Sequence, residues 1–485
     1  MKIGLFYDAN IPFDGIRPGS AELQAISRFA DIISLENYER QLAAGYDCLV
    51  NLHGSRFIKQ AWPYIISHLS SGKGLVNIGS GVPFSVPVRD TDNGAQVEYC
   101  QTAYHNELYI VHGMPIPSCR CLAPAINDEI PLLKGFEGCF DEQETVSLMV
   151  KYSQKHDDPD PSRIGSAGPV DAVMRALLYA HDKTGLRTAA PVVLVENFKD
   201  KFTGGRWIFV NQAPGQRFWG SGGPELINKL AVYAAGGAYD FLVRPNYTAY
   251  YTGERLVLLL QGQSFNTVRG AAVTLSVTKD ENEVYRSAIP FRLARQMDYV
   301  SIPTELNVEP GYYTITAEVS VDGECARYYR SGFWGYDEAL LQSGSEITCG
   351  RDYFLAGGKP YPVVGMTYMD PDSHRQFLTK PNVYYWNRDI ALMKSQGVNM
   401  IRTGNWGYYR RIMQIDGLPS EESMRAVDAF ILSAKKYGIP VIFTFFAFTP
   451  MLWEGINPYL DPRAVEAQKR FIRAVVCRHK LTRGN

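Results

Sequence analysis

Between residues 243 and 335 the chain carries five strand-like runs and no helical one. "YTAYYTGERLVLLLQGQ", "GAAVTLSVTKD", "EVYRSAIPFRL", "YVSIPTE" and "GYYTITAEVSVDG" are rich in Val, Thr, Tyr and Leu, with Gly, Asn, Asp and Pro between them. β-Branched and aromatic side chains fit a pleated surface, and the residues between them favour tight reversals. Strands at that spacing predict a small antiparallel β-sandwich of the immunoglobulin-like class. A helix-free block of this size divides the 485-residue chain into three expected domains: residues 1–242, 243–335 and 336–485.

Both flanks alternate instead. Before the block, "KIGLFYD" (2–8), "YDCLVNLHG" (46–54), "KGLVNIGSG" (73–81), "PVVLVENF" (191–198) and "RWIFVNQ" (206–212) read as strands. "SAELQAISRFADII" (20–33), "FIKQAWPYIISHLSSG" (57–72), "VDAVMRALLYAHDKTG" (170–185) and "PELINKLAVYAAGGAYDFL" (224–242) read as helices. That order predicts an α/β domain with a parallel sheet. After the block, "YPVVGMTYM" (361–369), "VNMIRTGNW" (398–406) and "IPVIFTFFAF" (439–448) read as strands. Helices are expected over 384–397, over 420–438 with Ser420 as cap, and over 461–480 with Asp461 as cap and Pro462 in the first turn. The fold class is therefore multidomain α/β plus β.

Composition mainly excludes. A net charge of −1 gives no general attraction to nucleic acid or an anionic membrane. No stretch approaches the roughly 20 apolar residues of a membrane span. The N-terminal apolar run Ile3–Tyr7 is too short for a signal peptide and is followed by Asp8, which favours a cytoplasmic location without fixing it. The eight cysteines form no CxxC pair, and Cys119 and Cys121 are poorly spaced for a metal or a disulfide, so reduced core cysteines are expected. No Walker A, HExxH or full GxGxxG pattern occurs, and neither a cofactor nor a metal is expected. The 30 tyrosines suit sugar rings and sandwich cores equally.

The strands of the third segment end in chemistry. Thr367 and Tyr368 close the first, Arg402, Asn405 and Trp406 the second, and Phe446 and Phe448 the third, with Trp453 in the loop beyond. In a (β/α)₈ barrel such ends form the active face. Aromatic faces stack on sugar C–H surfaces, while Arg and Asn bond hydroxyls or orient a carboxylate. The candidate substrate-binding residues are Tyr368, Arg402, Asn405, Trp406, Phe448 and Trp453. The alternative, in which Arg402 caps a carbonyl and the aromatics fill core, stays open.

"GKPYPVVGMTYM", "WNRDIALMKSQGVNMIRTGNWG" and "YGIPVIFTFFAF" resemble the opening of a clan-A glycoside hydrolase barrel, of the family 5 cellulase-like and family 2 types. Gly357–Pro362 matches the turn before the first strand, and Lys394, Gly397, Asn399 and Arg402 match the passage into the second. A β-sandwich directly before the barrel is similar to family 2 architecture. The resemblance implies the first three βα units of a TIM barrel, a carbohydrate substrate and a retaining mechanism with two glutamates. It assigns Arg402 to the arginine that lies beside the nucleophile and holds it ionised. Neither glutamate has a match. Glu421, Glu422 and Glu466 fall in helices, Glu454 in a loop, and Asp370 after the first strand is a single carboxylate. Tyr361 to Asn485 is 125 residues, against roughly 250 for a full barrel, so a fragment is expected, with both glutamates beyond residue 485. Three βα units alone would leave an open apolar strand edge, and oligomers are possible.

"YDCLVNLHG" and "GKGLVNIGSGVPF" resemble the glutamine-amidotransferase-like fold, a flavodoxin-like domain attached to some glycosidases. Those enzymes carry a Cys nucleophile in Gly-x-Cys-x-Gly. Here the turn is Gly79-Ser80-Gly81, and neither His53 nor His112 can be assigned to Ser80. A small anion at this turn, as a helix start, stays open.

The expected function is hydrolysis of O-glycosidic bonds in an oligo- or polysaccharide, by a chain inactive on its own. The alternatives are a non-catalytic carbohydrate-binding or assembly module, and an N-terminal enzyme acting on a small sugar or amide.

Overall fold

Cys48–Asn51 and Gly74–Ile78 are buried at every residue, which requires strands inside a covered sheet. The computed structural model, which describes residues 1–91, 94–98, 104–151, 171–447 and 455–483, places both at the centre of an eight-stranded sheet. Its order is Asp31–Ile33, Ile3–Phe6, Cys48–Asn51, Gly74–Ile78, Arg206–Val210, Arg187–Asn197, Ala172–His181 and Leu122–Ile126. The first five strands are parallel, and the last three join by antiparallel pairing. Alternation sends Leu5, Val50, Val76 and Ile208 to one core, under the helix Gly223–Ala235. It sends Leu49, Leu75, Trp207 and Phe209 to the other, under Trp62–Ser70.

The expected helices give way in several places: 20–33 is α-helical only over Ser20–Ile26, with Asp31–Ile33 a strand, and 57–72 only over Trp62–Ser70, after the strand Arg56–Ile58. The stretch 170–185 is not a helix: Ala172–His181 is a strand that pairs in a hairpin with Arg187–Asn197. The reversal is fixed locally, because the Asp182 carboxylate accepts from the amides of Thr184 and Leu186 and Gly185 takes φ +81°. Pairing with the Val-rich Arg187–Asn197 overrides the helical preference of Met, Arg, Ala and Leu. The closing helix stops at Ala235, where Gly236 and Gly237 follow, and Tyr239–Pro245 is already a strand of the next unit.

That unit is a β-sandwich. Tyr239–Pro245, Arg255–Ser264 and Asp298–Asn307 form one sheet. Ala249–Tyr250, Arg327–Gly335, Gly311–Val321, Arg269–Lys279 and Asn282–Leu293 form the other. Leu256, Leu258 and Leu260 alternate inward from the first sheet and meet Val273, Leu275, Ile315 and Val319 from the second.

The third unit has three parallel strands, Gly365–Thr367, Met400–Gly404 and Val441–Thr444, with helices Val383–Ser395, Glu421–Lys436 and Pro462–Arg478. Asn382 and Asp461 cap the first and third helices by accepting from the amides of Tyr385 and Arg463. Ser420 precedes the second helix, but its side chain makes no capping bond. Ile401, Val441, Ile390 and Phe430 pack the helix side of the sheet. The other side leaves Arg402 and Ile442 exposed. Among the described residues no helix is long and apolar enough to cross a membrane.

Candidate functional site

The register of the three parallel strands sets the site. Thr367, Arg402 and Ile442 lie side by side, and all three side chains are outside the helix-facing core. Parity sends the next residue of each chain to the opposite face. Thr403 is accordingly buried and donates its hydroxyl to the Tyr368 carbonyl at 3.0 Å. The Tyr368 amide donates to the Arg402 carbonyl at 2.9 Å, which locks the first strand end to the second.

Gly404 ends the central strand at φ +149°, and a Cβ there would lie 2.1 Å from the Thr444 carbonyl oxygen. Only glycine allows the third strand to approach so closely. The chain then turns. The Asn405 amide donates to Thr444, and the Asn405 carbonyl accepts from the Tyr409 hydroxyl and the Ala447 amide. These backbone bonds bury Asn405 completely, at 0 % exposure, while its side-chain Nδ2 and Oδ1 have no hydrogen-bond partner among the described residues. Trp406 follows at 8 % exposure, with its indole N–H also unpartnered. The Arg402 guanidinium stands 5.1 Å from the Trp406 ring centroid, within cation–π range.

The structure therefore brings Arg402, Asn405 and Trp406 together. It does not bring Tyr368 to them. That ring packs against Phe377 and Phe430 in the helix-facing core, and its hydroxyl donates to Asp389 at 3.0 Å. Phe446 likewise packs against Tyr409 and Phe471. Phe448 and Trp453 lie outside the described residues.

Carboxylates near this face are committed elsewhere. Asp370 is buried and accepts from the amides of Asp372 and Ser373, and burial pushes its carboxyl above the usual range. Asp389 pairs with Arg388, Glu421 with Arg425 and Arg478, and Glu466 with Lys469. Among the described residues no carboxylate pairs with Arg402, and no group of three side chains could hold a metal ion. What remains is an exposed guanidinium on the open sheet face, backed by a fully buried amide and a largely buried indole. The guanidinium can donate to hydroxyl groups, while in this conformation the amide and the indole are covered. Glycosidic hydrolysis by the two-carboxylate route needs more than these groups supply.

In the first unit, no helix follows the Gly79–Gly81 turn; the next element is the strand Val86–Thr91, so the helix-start anion site is absent. Ser80 donates to Asp14 at 2.9 Å. His53 is buried and stacked on Tyr7, and its Nε2 accepts from the Asp8 amide. Burial lowers its pKa to about 4, so the ring is neutral near pH 7. His112 is exposed, on the separate strand Ile110–Ile116. Asp14, which no sequence pattern singles out, is the partner that Ser80 has.

No family model and no curated protein matches the chain. Among solved structures, GH5_18 from Streptomyces cattleya in complex with Manb1-4GlcNAc is 17% identical over 24% of this chain and 30% of that one, with a TM-score of 0.22. The β-D-mannosidase from Dictyoglomus thermophilum is 16% identical over 50% of this chain and 28% of that one, at 0.20. A cycloisomaltooligosaccharide glucanotransferase from Paenibacillus sp. is 9% identical over 41% and 27%, at 0.19. The chain spans less than a third of the length of each. Likenesses this partial add no weight to a reading of the site.

Proposed function

We propose that this chain is carbohydrate-active and binds saccharide at the carboxyl ends of Gly365–Thr367, Met400–Gly404 and Val441–Thr444. The observation that carries the reading is the Arg402–Asn405–Trp406 group. An exposed guanidinium sits against an indole, beside a buried amide whose hydrogen-bonding capacity is unused. A buried unsatisfied amide costs about 1–3 kcal/mol, and a ligand hydroxyl would recover that cost once the residues covering Asn405 move aside to admit it. By class the protein is a glycoside hydrolase of O-glycosidic bonds in an oligo- or polysaccharide. The sequence resemblance supports this, with a three-unit portion of a barrel, a retaining mechanism and Arg402 as the residue that keeps the nucleophile ionised. Arg402 has no carboxylate partner among the described residues, so its unpaired guanidinium fits that role.

The test expresses the protein from its native gene and assays wild-type and Arg402→Ala forms on aryl glycosides. Hydrolysis with retention of anomeric configuration, falling by orders of magnitude in Arg402→Ala, is the expected result. The commitment of Asp370 and Asp389 to local bonds favours a second reading, a non-catalytic binding module. Saccharide binding without hydrolysis of any aryl glycoside would select it. Absence of both binding and hydrolysis would reject the site.

A further inference from the structure

The first unit has a switch in strand order that the reading above leaves unused. In its sheet Ile3–Phe6 lies between Asp31–Ile33 and Cys48–Asn51, so the chain steps to one side of the first strand and then returns past it to the other. The strand order reverses between Ile3–Phe6 and Cys48–Asn51. Ligands of open α/β sheets bind beyond the carboxyl ends of the strands at such a switch point.

Three loops meet there. The turns after Cys48–Asn51 and Gly74–Ile78 are pressed together: Gly79 has φ +143°, and a Cβ on it would lie 2.7 Å from the Gly54 Cα. That approach brings Ser80 and Arg56 to the same carboxylate, contributed by the loop after the first strand. Asp14 Oδ1 is 2.6 Å from Arg56 Nη1, and Asp14 Oδ2 accepts from the Ser80 hydroxyl at 2.9 Å. These partners are 42 and 66 residues from Asp14 in sequence. The Arg56 and Asp14 side chains are 22 % and 28 % exposed, so a ligand can reach them from solvent. Phe13 forms a wall, edge-on to His53 at 5.6 Å, with the Arg17 guanidinium 5.6 Å from its ring centroid.

We propose that this switch point is a second ligand site, taking a neutral, hydroxyl-rich molecule such as a monosaccharide or a cyclic polyol. The charges select against the alternatives. An anion drawn to Arg56 and Ser80 would meet the Asp14 carboxylate, and the Arg17 guanidinium is held outside that pair, on Phe13 and on the Ile11 carbonyl. A bare cation drawn to Asp14 would meet Arg56. A nucleophilic Ser80 would need a base, but its acceptor is a carboxylate already ion-paired, and His53 is bonded to Asp8 instead. A sugar or polyol satisfies the set: its hydroxyls donate to Asp14 and to the Ser80 oxygen and accept from Arg56, and a C–H face lies on Phe13. The site is independent of the saccharide reading of the third unit.

The experiment titrates the full chain with D-galactose, D-mannose, D-glucose and myo-inositol by isothermal titration calorimetry, in wild type, Ser80→Ala, Asp14→Asn and Arg402→Ala. At least one ligand is expected to bind saturably. Ser80→Ala and Asp14→Asn should each weaken it about tenfold, as loss of one charge-assisted hydrogen bond does. Repeating the series in the Arg402→Ala background removes the third-unit site from the readout, and the effects of Ser80→Ala and Asp14→Asn should persist there. Ser80→Ala removes only a half-buried hydroxyl and keeps the test decisive if Asp14→Asn fails to fold. The proposal is overturned if none of the four binds, if binding responds to Arg402→Ala and not to Ser80→Ala, or if inorganic phosphate binds and gains affinity in Asp14→Asn.

Discussion

Glu196 and Arg327 are 131 residues apart and fully buried together, with two guanidinium nitrogens of Arg327 donating to the two carboxylate oxygens of Glu196 at 2.7 and 3.0 Å. Glu196 belongs to the eight-stranded sheet of the first unit and Arg327 to the sandwich. Arg206 also donates to Glu196, at 3.2 Å, and to Glu324 at 3.0 Å. The joint between these two units is therefore an ionic cluster centred on the fully buried Glu196, with Arg175 at its partly exposed rim.

Removing the negative centre of that cluster should be costly. Glu196→Gln leaves two buried guanidiniums under-compensated, and the expected loss is about 3–5 kcal/mol. Burial by itself would raise the Glu196 carboxyl, but Arg327 and Arg206 outweigh it and hold it at about 2, below its ordinary 4.5. A depressed carboxyl gives stability that is complete above about pH 4.5 and lost as pH falls toward 2. Urea denaturation across pH should show a shallower acid decline in Glu196→Gln. An unchanged slope would show that the pair is not the linkage.

The second joint, between sandwich and third unit, depends on guanidinium shape. Arg425 donates to both Glu254 oxygens at 2.6 and 2.9 Å, to the Ala249 carbonyl at 3.1 Å and to Glu421 at 3.1 Å, while stacking on Tyr247 at 4.2 Å. Lysine keeps the charge but cannot make the fork. Arg425→Lys should cost about 1–3 kcal/mol. A double-mutant cycle with Glu254→Gln should give a clear coupling energy, and additive losses would contradict the shared fork.

Periodicity made much of the architecture legible, and register hid the rest. The helix near 461–480 is readable because Asp461 stands where a cap belongs, whereas Asn382, which caps the helix near 384–397, is not singled out by the sequence. The 170–185 stretch was misread because its apolar spacing fits a helix, and only its partner Arg187–Asn197 makes it a strand. Arg402, Asn405 and Trp406 could be singled out as strand-end chemistry. The turning away of Tyr368 could not, because it depends on Thr367 pairing with Arg402, and a one-residue slip would reverse it. Asp14 gave no signal, since its partners come from two distant loops.

Tyr368 should behave as a core residue. Tyr368→Phe removes the hydroxyl bond to Asp389 and keeps the ring against Phe377 and Phe430. The expected cost is about 1.5 kcal/mol, with no change in saccharide affinity, read by denaturation and calorimetry on one preparation. Unchanged stability with weakened binding would return Tyr368 to the ligand side.

Two buried asparagines in the same unit make the sharpest comparison. Asn387 Nδ2 donates to the Val383 carbonyl at 2.9 Å and to Ser433 Oγ at 2.8 Å, leaving only its Oδ1 unpartnered, whereas neither side-chain polar atom of Asn405 has a partner among the described residues. Truncating a satisfied buried donor loses its bonds, while truncating an unsatisfied one removes a desolvation penalty. Asn387→Ala should therefore cost about 1–3 kcal/mol. Asn405→Ala should be within about 1 kcal/mol of wild type, or more stable. Arg402→Ala, at an exposed position without a carboxylate partner among the described residues, should change stability by no more than about 0.5 kcal/mol. If both third-unit variants keep their stability yet lose saccharide affinity, Asn405 and Arg402 are held for a ligand rather than for the fold. If Asn405→Ala is as damaging as Asn387→Ala, its amide has a structural partner and the binding reading loses its main support.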